Sequence, residues 1–147
     1  MRRTLLVAGF ATLVAITAPG CGQKTPATLD AKTIEASEQL KKVGTAYNKA
    51  YQAKGRSPTA EEIKPYLKQH GDPDTLLISP RDGKPLVLVP GFVPDTEPTE
   101  GEQPIIVYEQ SGADGKRMTV DSRGTIVFFT DAEFAKLKFV GGHQPAR

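Results

Sequence analysis

Cys21 is the only thiol in a chain of 147 residues, and a lone sulfur can act as a nucleophile, a metal ligand or an acceptor for lipid. Its surroundings favour the last. The two histidines, His70 and His143, have no metal-ligand partner at a useful spacing. A histidine at the end of a helix, as expected for His70, is ordinarily a favourable charge near the negative end of the dipole. Serines 37, 57, 79, 111 and 122 stand outside any Gly-x-Ser-x-Gly elbow. Asp95, Glu97, Glu100 and Glu102 crowd the proline-rich segment 90–104, but without the alternating oxygen spacing of a formed calcium loop. Asp72-Pro73-Asp74 and Asp114-Gly115 read as turns, and Gly141-Gly142 as tail rather than a phosphate loop. The expectation is no catalytic residue, no cofactor-binding residue and no metal site, with lipidation at Cys21. A cation-dependent binder or envelope enzyme built on the acidic loop is the competing reading.

Aromatics offer a second kind of chemistry, that of recognition. Tyr47, Tyr51, Tyr66, Phe128 and Phe129 are the candidates. Phe128 and Phe129 are neighbours in an expected strand and must face opposite sides of a sheet. One is expected in the core against a helix; the other needs a second cover or is exposed.

The elements that position these residues begin with an export address. Met1-Arg2-Arg3 is followed by an uncharged apolar run from Thr4 to Ala18, which has the layout of a secretory signal. At about fifteen residues the run is short of the roughly twenty that span a bilayer as a helix. Ala18-Pro19-Gly20-Cys21-Gly22 resembles the lipobox of bacterial lipoproteins. That resemblance implies a diacylglycerol on the Cys21 sulfur, cleavage before Cys21 and acylation of the new amine. Gly22, where an inner-membrane protein of this kind commonly has aspartate, favours the outer membrane, with the domain in the periplasm or at the cell surface. Residues 1–20 are then a signal peptide and 21–30 a lipidated, polar tether.

Charge agrees with this division. The chain has 19 Lys plus Arg against 17 Asp plus Glu, and Arg2 and Arg3 account for the whole excess. Clustered positive charge, which nucleic acid or an anionic surface would require, is not indicated. The expected partners are the membrane through the N-terminal lipid, and an envelope protein or wall component.

Residues 31–140 have the size of a single domain, with 141–147 expected as a disordered tail. Leu40, Val43, Tyr47, Ala50 and Tyr51 recur at spacings of three and four, predicting a helix over 31–53 with a stop at Gly55. Its first third, polar apart from Ile34, is expected to project or fray. Thr59-Ala60-Glu61-Glu62 is a capping-box pattern opening a short helix to about Gln69, kinked at Pro65. Thr75–Ile78 and Leu86–Val89 are expected strands around the turn Ser79–Lys84. Ile105–Glu109, Arg117–Asp121 and Thr125–Phe129 are expected as three antiparallel strands. Thr130–Glu133 is a second capping box, opening a last helical turn or two through Lys138. Helices first and strands afterwards argue for α+β, with a long N-terminal helix packed on a small antiparallel sheet.

Leu40-Lys41-Lys42-Val43-Gly44-Thr45-Ala46-Tyr47, with Gly55, Pro58 and Pro65-Tyr66-Leu67, resembles the globular head of type II secretion pseudopilin-like proteins. Ile78-Ser79-Pro80-Arg81-Asp82-Gly83 is similar to their strand-and-turn motif, with Ser79 where cysteine often stands. The resemblance covers residues 38–137 and implies a pilin-head-like fold. The polar 31–38 stretch and the lipobox depart from the prepilin signal and long apolar helix of that family. What is implied is a head freed from the filament and held by lipid, or an accessory of a secretion system.

Overall fold

The computed structural model describes residues 30–93 and 98–145. It is α+β: a long helix, α1 (Ala31–Lys54), lies across a four-stranded antiparallel sheet. Asp30 caps α1, its Oδ1 accepting the Thr33 N–H at 2.9 Å. Gly55 ends the helix in the left-handed region at φ 69°, its N–H donating to the Tyr51 carbonyl. Only glycine enters that region without steric cost. Leu40, Val43, Tyr47 and Ala50 are all buried, as their spacing predicts.

The first third of α1 corrects the expectation that it projects. Thr33, Ala36 and Gln39 are buried. The Gln39 side-chain amide donates to the carbonyls of Leu76 at 2.8 Å and Ile78 at 2.5 Å. A polar side chain here ties down the next segment rather than facing water.

The helix α2 (Ala60–Leu67) starts at the expected capping box, with the Thr59 N–H donating to Glu62 Oε2 at 2.9 Å. That backbone bond, with Arg56 and Lys54, holds the Glu62 carboxyl down to about 2. Pro65 lies inside α2, and a single 3-10 turn, Lys68–His70, follows. Thr75–Ile78 is not a strand. Asp72 caps a one-turn helix, α3 (Pro73–Leu76), accepting the Thr75 N–H through Oδ2. Proline at the first helical position suits this start because its missing N–H would have no partner there. Of the expected hairpin only the corner survives: Ser79 and Lys84 are bridged, and Ile78 pairs with Pro85 as an isolated bridge.

The strands are β1 (Leu86–Leu88), β2 (Glu102–Gln103), β3 (Ile105–Glu109), β4 (Lys116–Asp121) and β5 (Ile126–Thr130). Then come α4 (Asp131–Phe134) and β6 (Lys138–Phe139). The sheet order is β1-β3-β4-β5, all antiparallel. The expected last helix stops at Phe134, and β6 pairs in parallel with β2. Phe134 and Phe139 both enter the same core, the chain turning between them at Ala135 and Lys136 before it joins β6.

Every residue of β3 is buried, because both faces of the sheet are covered. On one face α1 packs Leu40, Val43 and Tyr47 with Ile106, Val107, Met118 and Val120. On the other, Val89, Ile105, Tyr108, Phe134 and Phe139 form a second core. A bulge reconciles these facings: Ile105 pairs with Asp121 and Val107 with Val120, leaving Ile106 as the extra residue. Two consecutive side chains, Ile106 and Val107, therefore share the α1 core. Burying each such side chain contributes roughly 1.5–3 kcal/mol. Phe128 and Phe129 do take opposite sides, but neither enters the helix-covered core: Phe128 is exposed, while Phe129 packs half-buried against the second core.

Candidate functional site

Cys21 lies outside the described residues, as do Asp95 and Glu97. Of the other loop acids, Glu100 is exposed and Glu102 stands in β2. The Glu102 carboxylate accepts the Thr99 N–H at 2.9 Å, and that bond is the first cause of its lowered pKa. Among the described residues no three His, Cys, Asp or Glu side chains come together. His70 is exposed at the end of its 3-10 turn, 3.2 Å from the Gln69 amide nitrogen. Tyr47 is wholly buried, its hydroxyl donating to the Val89 carbonyl at 2.9 Å, and Tyr51 and Tyr66 are half-buried.

His143 lies in the segment expected as a tail, where the chain packs back on the domain as far as Pro145. Gly141 turns it at φ 84°, so close to Gly91 that an added Cβ would lie 2.3 Å from the Gly91 carbonyl oxygen. The His143 ring then packs on Phe139 and Tyr108, with centroids 5.2 and 5.9 Å away. Its Nε2 is 3.0 Å from the Tyr108 hydroxyl. Burial pushes the phenol up and the imidazole down. Both therefore favour their neutral forms, joined by a hydrogen bond between the hydroxyl and Nε2.

Around this pair opens a groove on the face of the sheet opposite α1. Arg117, Asp131, Phe134, Ala135, Leu137, His143, Gln144 and Pro145 line a recess of about 400 Å³. A second recess of about 370 Å³ shares Arg117, His143 and Gln144 and extends over Val87 and Tyr108. Arg117 forms the rim. Its guanidinium lies 4.6 Å from the Phe134 ring centroid, its Nε donates to Asp131 Oδ1 at 3.0 Å, and Nη1 donates to the Gln110 carbonyl. An aromatic wall beside a paired Arg and Asp suits recognition of a side chain with an apolar body and a polar end. Of the groove residues, sequence reasoning singled out only His143, and for metal binding rather than for an aromatic wall.

A buried polar cluster lies at the same end of the sheet, on its other face. Glu109, wholly buried, accepts from the Ser79 hydroxyl at 2.8 Å, from the Met118 N–H at 2.8 Å and from the Arg81 guanidinium. Arg81 Nη2 also donates to the Ala113 carbonyl at 3.1 Å. Asp82 accepts the Ser111 and Gly112 N–H groups, so the 79–84 corner is fastened to the β3–β4 loop. With all its acceptors engaged inward, the cluster is an internal clamp rather than a site for a ligand.

Comparison with protein-family models, curated proteins and solved structures finds no match for the chain.

Proposed function

We propose that the chain is a non-catalytic, lipid-anchored protein of the bacterial cell envelope that binds an envelope protein or wall component. The observation that carries this reading is Cys21, the one cysteine in the chain, placed directly after an uncharged run and small residues. Eight residues separate it from Asp30, where α1 is capped. No helix among the described residues is long and apolar enough to cross a membrane, so in this reading lipid supplies the hold. One acyl chain binds marginally, and two or more hold stably.

Labelling growing cells with a clickable fatty acid tests the anchor. The chain should take up label and stay in the membrane fraction, and Cys21→Ala should abolish both. Label and membrane retention that survive Cys21→Ala would end the lipoprotein reading. The groove is the recess that a partner would use. A pull-down from detergent-solubilised membranes should lose its specific partner when Ala135→Arg fills the groove, and an unchanged set of captured proteins would remove the groove from the account. Secretion-machine components among those proteins would favour the accessory reading instead. Calorimetric titration of the full chain with calcium addresses the cation-dependent rival, and a flat trace is expected.

A further inference from the structure

The sheet ends on β5, and the outer side of that strand is open. Asp121 N–H donates to the Thr125 carbonyl at 3.0 Å, and Asp131 N–H donates to the Gly115 carbonyl at 3.1 Å. Carried along the β4–β5 register, antiparallel alternation makes Thr119–Val127 and Arg117–Phe129 the pairs that exchange backbone bonds. The N–H and C=O groups of Ile126 and Phe128 therefore point away from β4. They find no backbone partner among the described residues. The next outward donors are already used: Gly124 N–H donates to the Asp121 carbonyl at 3.0 Å, and Thr130 N–H donates to Glu133 Oε2 at 2.8 Å. The free edge is thus four groups on two residues. Val127 and Phe128 are also 38% and 37% exposed. From Thr125 to Thr130 there is no charge and no proline, the guards that natural edge strands carry against pairing.

We propose that β5 pairs antiparallel with β5 of a second copy of this chain, about a two-fold axis at Val127. In that register Ile126 lies opposite Phe128 of the second copy, and the reverse. All four open groups then form inter-chain bonds and no existing bond is broken. An axis at Phe128 would need the Thr130 N–H, and an axis at Ile126 the Gly124 N–H, both already committed. The side chains agree with the register. Ile126 meets Phe128 twice on the α1 side of the sheet, and Val127 meets its own copy on the other, the cross-strand pairs that stabilise sheets. A self-complementary patch of this kind closes as a symmetric dimer.

Sedimentation equilibrium of the full chain carrying Cys21→Ser tests this without any dependence on lipid. The expected mass is that of two chains, halving in Val127→Lys and in Phe128→Pro, the latter removing an outward N–H. Ile34→Lys, exposed on α1, should leave the dimer intact. Circular dichroism establishes that each variant is folded. Should either edge variant fail to fold, Val127→Cys in the same background decides. Residues facing across non-hydrogen-bonded pairs are about 4.5 Å apart at Cα, within disulfide reach, so an oxidised dimer should form, and Lys41→Cys should give none. A single-chain mass up to the solubility limit, or a dimer that ignores the edge variants and does not cross-link at Val127, overturns the proposal.

Discussion

Glu109 closes a strand whose other four residues are apolar or aromatic, and it has no access to water. Removing one member of a buried ion pair leaves the other charged and unpaired, at a cost of about 3–5 kcal/mol. Glu109→Ala and Arg81→Ala should therefore each lower stability by that order in urea unfolding. The double replacement Arg81→Met with Glu109→Leu should cost clearly less than the sum of the two, because no orphan charge remains. His143 makes a pH-dependent contribution. Burial depresses its imidazole below the ordinary 6.5, so the unfolded chain binds the proton more readily than the folded one. Stability is then full above about pH 6.5 and falls as pH drops through the depressed value. His143→Gln should flatten that part of the profile in urea unfolding followed against pH.

At the scale of elements, Gly44 determines how closely α1 approaches the sheet. A Cβ there would sit 3.2 and 3.3 Å from the two methyls of Val120. Gly44→Ile would overpack this contact and should destabilise by about 1–3 kcal/mol, read as a lowered melting temperature. Elements whose signals are local were legible in the chain. The three-and-four spacing of α1, its glycine stop and both capping boxes appear where they were expected, and β3, β4 and β5 fall within a residue or so of their expected bounds. Thr75–Ile78 was misread because β-branched composition competed with a helix start, Asp72-Pro73, that is equally local. β2 and β6 are two residues each and exist only through one another, so no periodicity announces them. The clamp was hidden for a related reason. Ser79 and Arg81 look like turn chemistry, and the carboxylate they serve is 28 residues away from Arg81. The folded-back His143 depends on Gly141 meeting Gly91 across the molecule, which no window of sequence contains.

For the molecule as a whole, the sheet is a partition with a helix on one side and the closing segment on the other. α1 starts at the tether, so a chain anchored at Cys21 would hold the domain within reach of the nine intervening residues, at most about 30 Å when fully extended. The partition also explains why all five residues of β3 can be buried. Its bulge has a consequence for how this strand tolerates change in length. Removing a residue from an ordinary strand turns everything beyond it inside out. Removing Ile106 would instead restore plain alternation, with Ile105, Val107, Tyr108 and Glu109 each keeping its present side. A chain lacking Ile106 should fold, weakened by about the 2–5 kcal/mol of a truncated isoleucine, whereas one lacking Tyr108 would swing Glu109 out of its clamp and should not reach the native state on circular dichroism. The strand carries a spare rung, and at that one place the domain can shorten without reversing its own lining.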